Sequence, residues 1–271
     1  MTEPKVERVT TRDDRFQRWE VLLRNRAKRT RRGELLVHGV RPIDQAVAAG
    51  WRVTALLHAG GTRSGWAAGL LAAGVAERLV ELPPALLAEL GDKDDDTPPE
   101  LIAVVAMAPD RLDRIQPGPD GLVVVLDRPG NPGNLGTVIR SCDALGAAGV
   151  VITGHAADLY DPRTVRASRG SLFAVPVVRV ESPAVAADWA GERGLTLLGT
   201  SEDGARPIWE HDLTRPTALV VGNETRGMSA FWTGACDAVA AIPMAGAASS
   251  LNAAVATSIT LYEAARQRSL R

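Results

Sequence analysis

Six short apolar runs, LVVVL, GVVITG, FAVPVVRV, LTLLGT, TALVVGNE and AVAAIPM, recur between residues 121 and 244 with helix-like segments between them. Few architectures accept that pattern. Strands that are apolar along their whole length must be covered on both faces, and strands separated by helices pair in parallel. The pattern predicts an α/β domain with strands at 122–126, 149–154, 173–180, 195–200, 217–224 and 238–244. Helices are expected from 134, near 161–168, over 183–193, near 228–235 and from 250 to about 268. Residues 1–108 read as a smaller α/β unit. It opens with a helix over 13–30 carrying Phe16, Trp19, Leu22 and Leu23 on one face, and it contains an acidic loop at 92–100. PDRLDRIQPGPD (109–120), rich in Pro and Asp, reads as a linker to a second domain spanning 121–271.

Charge is distributed unevenly. The net charge is −1, yet residues 1–32 carry eleven basic and five acidic side chains, which leaves −7 for the remainder. RNRAKRTRR (24–32) is dense enough to neutralise several phosphates; a solvated helix face with salt-bridge partners accounts for the same run. No stretch of about 18 apolar residues spans a membrane. The charged N-terminus lacks the apolar core of a secretory signal, so the cytoplasm is the simplest expectation. Four scattered histidines and two distant cysteines, Cys142 and Cys236, form no metal-ligand spacing, and no metal is expected.

The strand–loop–helix stretch GLVVVLDRPGNPGNLGTVIR (121–140) looks like a phosphate-binding turn, but its glycines fit neither standard pattern. It lacks G-K-[ST], and Gly130, Gly133 and Gly136 are spaced GxxGxxG, not GxGxxG. What it does offer is Asn134 near a helix start and Arg140 six residues on. Two further loops follow strands of the same sheet. VVGNETRGMS places Gly222, Asn223, Glu224 and Gly227 at a strand end, a site position in open α/β sheets. AIPMAGAASSLNAAVATSI runs through Gly246, Ala247, Ala248 and Ser249, small enough for close backbone approach to a ligand, into a helix at Ser250, Leu251 and Asn252. A capped helix after a tight turn explains any one of these loops. Three together fit a composite site better.

The stretches NLGTVIRSCDALGA, VVGNETRGMS and IPMAGAASSLNAAVATSI resemble, in order, the three motifs of the SpoU (TrmH-like) family of the SPOUT superfamily, S-adenosylmethionine-dependent RNA ribose 2′-O-methyltransferases. RRGELLVHGVRPIDQAVAAGWRVTALL is similar to the L7Ae/L30e-like RNA-binding domain that precedes the catalytic domain in part of that family. Within the family the chain looks closest to actinobacterial antibiotic-resistance 23S rRNA methyltransferases of the avilamycin-resistance type; a tRNA 2′-O-ribose methyltransferase is the alternative. The resemblance implies a C-terminal parallel sheet closed by a deep trefoil knot, S-adenosylmethionine as cofactor, RNA as partner and a homodimer through the C-terminal domain. It also implies catalytic roles for Asn134, Arg140, Glu224, Ser250 and Asn252. Cofactor contacts are implied for Thr200, Ser201, Val221, Gly222, Asn223, Gly227, Ile242, Met244, Ser250 and Leu251. The basic arm and its domain are expected to meet RNA through Arg24, Arg26, Lys28, Arg29, Arg31, Arg32, Arg41 and Arg169. Arg169 stands between Ser168 and Gly170, where a small residue is commoner, a feature the resemblance associates with rRNA substrates.

Overall fold

A computed structural model describes residues 5–91 and 97–270; residues 92–96 of the expected acidic loop lie outside the described residues. The first part of the chain runs β1 (Lys5–Arg8), α1 (Asp14–Arg24), α2 (Arg26–Arg32), β2 (Glu34–His38), α3 (Val40–Ala48), β3 (Val53–Ala59), α4 (Gly65–Ala72), β4 (Arg78–Leu82), α5 (Pro84–Glu89) and β5 (Leu101–Ala106). Its sheet has the order β1-β4-β3-β5-β2, with β5 antiparallel to both its neighbours. Phe16, Trp19 and Leu22 pack into a core with Leu36, Leu57, Val80 and Val104, as the 3.6-residue spacing required. The single helix expected over 13–30 is two helices. Asn25 leaves helical geometry (φ −126°, ψ 101°) and its side chain accepts from the Lys28 N–H, so an asparagine that caps ends one helix and starts the next. β1 had no alternating signal long enough to reveal it.

The chain continues through β6 (Leu122–Asp127), α6 (Pro132–Ala144), β7 (Gly149–Thr153), α7 (Pro162–Ser168), α8 (Ser171–Ala174), β8 (Val177–Val180), α9 (Pro183–Glu192) and β9 (Thr196–Thr200). It then forms β10 (Arg206–Pro207), β11 (Thr217–Val221), α10 (Ala230–Ala235), β12 (Ala238–Ala241) and α11 (Ala253–Ser269). The seven strands β6 to β12 make one sheet of order β10-β12-β9-β11-β6-β7-β8, parallel throughout. Val123, Val125, Val151, Val178, Val220 and Trp232 form its main core. Trp232 is fully buried and its indole N–H donates to Thr153 Oγ1 at 3.3 Å. Among the described residues no helix is long and apolar enough to cross a membrane.

Domain boundaries differ from the expected ones in two places. Tyr160–Ala174 clusters with Met1–Ala108, while Pro109–Leu159 and Val175–Arg271 form the second unit. Within the first unit Trp51 holds α8 by donating to the Phe173 carbonyl at 3.0 Å, with the two rings edge-to-face at 5.0 Å. The 109–120 stretch is not a free linker. Ile115 is fully buried in the core of the second unit, Arg114 Nη1 donates to the Val177 carbonyl, and Asp110 pairs with Arg179. A run dense in Pro and Asp hid one apolar anchor. The strand expected from 173 starts at Val177, because 171–174 is helical, and the helix expected from 250 starts at Ala253.

Candidate active site

β6 lies between β7 on one side and β11 on the other, with β9 and β12 beyond β11. The chain runs from β6 through β7 to β8 on one side and then crosses to β9, β11 and β12 on the other, so the strand order reverses at β6 and the crevice at the C-terminal strand ends falls beside it. Four loops converge there: 128–131 after β6, 201–205 after β9, 222–229 after β11 and 242–252 after β12.

α6 begins two residues earlier than the expected start at Asn134. Asn131 caps it, accepting from the N–H groups of Gly133 (2.8 Å) and Asn134 (3.1 Å), with Pro132 in the first turn. Asn134 is therefore not a cap, and its amide is free for tertiary work. Its Nδ2 donates to Glu224 Oε1 at 3.2 Å, and its Oδ1 accepts from Asn252 Nδ2 at 3.1 Å. Asn252 in turn caps α11 by accepting from Ala254 N–H and Val255 N–H. One residue from each of the three motif loops thus joins a single hydrogen-bonded chain.

Glu224 is an exposed residue whose carboxylate oxygens turn inward. They accept from the N–H groups of Gly130 (2.9 Å) and Asn131 (3.2 Å) as well as from Asn134. Burial alone would raise this carboxyl, but the N–H groups of Gly130, of Glu224 itself and of Asn131, together with the Asn134 amide, outweigh it and hold the group below the ordinary glutamate value. A carboxylate so saturated is a fixed anion, poorly suited to receive a proton.

All ten residues expected at the cofactor line one cleft of about 300 Å³, together with Glu202, Met228, Ala253, Ala256 and others. Val221, Ile242, Met244 and Leu251 give it apolar walls, and Thr200, Ser201, Asn223 and Ser250 are among its polar lining residues, a mixture suited to a flat heteroaromatic ligand with polar edges. Gly222 is dictated by packing. A Cβ there would lie 2.2 Å from the Met228 nitrogen, so the backbone of the 222–229 turn folds back on itself with no room for a side chain. Gly246 is different from expectation: a Cβ would meet nothing within 4 Å, and the tight approach falls instead at Gly222 and at Gly204, against Ala240. Ser250 is exposed in the loop before α11 and lines the cleft.

Arg140 is not brought into the cluster. It lies nearly two turns along α6 from Asn134, exposed, with no hydrogen bond or ion pair among the described residues. Asn134 bonds instead to Glu224 and Asn252. Among the expected RNA contacts, Arg24, Arg26, Arg31, Arg32, Arg41 and Arg169 are exposed and Lys28 half-buried. Arg29 is a correction. It is 3% exposed and donates to the Leu22 carbonyl at 2.6 Å, tying α2 back onto α1. Asn131, Asp127 and Arg128 were not among the expected site residues; an Asn-Pro pair at the head of the helix after β6 signalled the first.

The profile of the SpoU rRNA Methylase family matches residues 121–262, and that of the SpoU L30e-like domain matches residues 13–103. The 23S rRNA (uridine(2479)-2′-O)-methyltransferase of Streptomyces viridochromogenes is 52% identical, over 98% of this chain and 94% of that one. The 23S rRNA (guanosine-2′-O-)-methyltransferase RlmB of Pseudomonas syringae pv. tomato is 35% identical over 65% of this chain and 70% of its own. The crystal structure of the SpoU methyltransferase AviRb from Streptomyces viridochromogenes in complex with the cofactor AdoMet superposes with a TM-score of 0.90 at 52% identity, covering 95% of this chain and 98% of that chain. The chain belongs to the SpoU rRNA methylase family.

Proposed function

We propose that this member of the SpoU family methylates a ribose 2′-hydroxyl of 23S rRNA, with S-adenosylmethionine as methyl donor. The observation that carries the reading is the junction of Asn134, Glu224 and Asn252 beside a cleft lined by all ten expected cofactor residues. The identity of 52% to a named 23S rRNA 2′-O-methyltransferase supports the same substrate.

The residues present fit the donor. Val221, Ile242, Met244 and Leu251 offer apolar walls for an adenine, and the bare backbone at Gly222 and the hydroxyls of Thr200 and Ser201 offer polar partners at its edge. When bound, S-adenosylmethionine supplies an electrophilic methyl group on a sulfonium sulfur. The chain's part is to hold the 2′-oxygen in line and to stabilise charge as its proton departs. A guanidinium holds its charge and is a poor general base, so a binding role fits Arg140 better than proton abstraction. Its guanidinium, exposed and without a partner among the described residues, is available to bind an RNA phosphate and the developing oxyanion. Glu224 holds the 128–131 and 222–229 loops in register, Asn252 fixes α11 to Asn134, and Ser250 lines the cleft that would take the donor.

A second copy completes the enzyme in this reading. Val255, Ile259 and Tyr262 of α11 are 48%, 37% and 62% exposed at i, i+4 and i+7 spacing, an apolar stripe of the kind that marks an interface. The exposed arginines of α1, α2, α3 and the α7 end supply sequence-independent RNA affinity. Protection of the ribosome from an avilamycin-type antibiotic is the proposed consequence. Incubating purified protein with labelled S-adenosylmethionine and either 23S rRNA or tRNA tests the reading. Label in alkali-resistant dinucleotides of 23S rRNA is expected, because a 2′-O-methyl blocks strand cleavage. Label confined to tRNA would overturn the rRNA assignment.

A further inference from the structure

Beneath the cleft, outside its lining, sits a pair that the three motifs do not include. Asp127 ends β6 and is 3% exposed. Its carboxylate accepts from Arg128 Nε (3.0 Å) and Nη2 (2.9 Å) and from the Ser229 N–H (2.7 Å). Burial works to raise this carboxyl, but the Arg128 guanidinium and Ser229 outweigh it and hold it below the usual aspartate value. Arg128 itself sits at φ 53°, a left-handed conformation uncommon for a side chain of its size. From there it does two jobs on the same turn. Nη2 reaches the Gly227 carbonyl at 3.3 Å, and the Arg128 carbonyl accepts from Asn223 Nδ2 at 2.7 Å. Gly154, opposite, leaves space for the arginine stem: a Cβ there would lie 2.9 Å from Arg128 Cγ.

We infer that Asp127 and Arg128 are positioning residues that hold the 222–229 turn against β6 and thereby set the affinity of the cleft for S-adenosylmethionine, resting on the reading of that cleft given above. Three points on the turn are pinned, Asn223, Gly227 and Ser229, and the residues between them (Glu224, Thr225 and Met228 among them) line the cleft. The strained backbone explains itself in this account. Glycine would adopt φ 53° freely, but only a guanidinium spans from Asp127 to the Gly227 carbonyl.

The test uses the full-length protein and Arg128→Gly, which deletes the guanidinium while relaxing the backbone, alongside Asp127→Ala. S-adenosylmethionine binding is measured by calorimetry, kcat and KM by methyl transfer, and amide exchange in peptides covering 222–229. The expected result is a Kd raised at least fivefold in Arg128→Gly and at least tenfold in Asp127→Ala. Amide exchange over 222–229 should accelerate while that of β6 and β11 holds, and kcat at saturating donor should stay within threefold of the unmodified enzyme. Should Asp127→Ala not yield folded protein, Arg128→Gly decides alone. A Kd within twofold in Arg128→Gly, or a fall in kcat with Kd unchanged, overturns the positioning role. An unmodified enzyme that fails to bind S-adenosylmethionine overturns the reading of the cleft, and this inference with it.

Discussion

Replacing Glu224 by glutamine keeps the shape of the side chain and removes its charge, which separates a structural anion from a chemical base. In the structure the carboxylate meets four N–H donors, Gly130, Asn131 and Asn134 at 2.9–3.2 Å and the Asn223 amide at 3.4 Å. An amide offers one oxygen and one NH2, so at least one donor then faces another donor and the rest lose charge assistance. Hydrogen bonds to charged groups are worth about 1.5–3 kcal/mol each, and solvent access at this exposed turn lowers that to about 1 kcal/mol. Two such bonds lost come to about 2 kcal/mol, or roughly a 30-fold change in an equilibrium constant. Because the bonds join the 128–131 and 222–229 loops, that energy is expected to emerge as a Kd for S-adenosylmethionine raised by roughly 10- to 30-fold. kcat at saturating donor should change by no more than a few-fold. The pH dependence has a definite sign. Glu224 is held below its ordinary pKa in the folded state, so the carboxylate's stabilisation is whole above the ordinary glutamate range and is lost as pH falls through the lower folded value. The unfolding temperatures of wild type and Glu224→Gln should converge in acid. Calorimetric titration with single-turnover methyl transfer is the assay. A collapse of kcat with an unchanged Kd would refute the reasoning and make Glu224 a participant in proton transfer.

Asn252→Asp retains the cap of α11 but loses the Nδ2 donor to Asn134; kcat/KM should fall at least tenfold while the unfolding temperature moves little, whereas Asn252→Ala also loses about 1 kcal/mol of cap stability. Arg29→Ala should lower stability, because it unties α2 from the Leu22 carbonyl, and should leave RNA affinity nearly unchanged. Arg31→Ala with Arg32→Ala should do the reverse, weakening RNA binding and flattening its salt dependence by about one to two units of slope, read by filter binding across a salt series. Ile259→Glu with Tyr262→Glu places charge on the exposed stripe of α11; sedimentation is expected to show a dimer for the unmodified chain and a monomer for the variant, and a monomer for both would remove the proposed interface.

Much of the catalytic sheet is legible in the chain because its information is local. LVVVL, GVVIT and TALVV are apolar along their whole length, which only a two-faced parallel sheet accommodates, and they pair as β6, β7 and β11. The motif loops are legible for a related reason, since each directly follows an apolar strand of this one sheet. What escaped the sequence depended on tertiary partners. The break at Asn25 turns on a side chain choosing to cap, not to continue a helix. Ile115 is a single apolar residue in a stretch that otherwise reads as linker, and its burial against Gly149 is invisible without the fold. Arg29 carries the same charge as its neighbours, and only packing separates it from the RNA-facing set. The Asp127–Arg128 pair shows no periodicity at all; its meaning lies in a turn about a hundred residues away.

The most direct test of the central claim is a map of ribose 2′-O-methylation across 23S rRNA in cells with the protein, without it, and with Arg140→Ala in its place. The account predicts one added 2′-O-methyl position that appears with the protein and is absent both without it and with Arg140→Ala. Identical 23S rRNA maps in all three strains, with a methylated ribose appearing in tRNA instead, would contradict it.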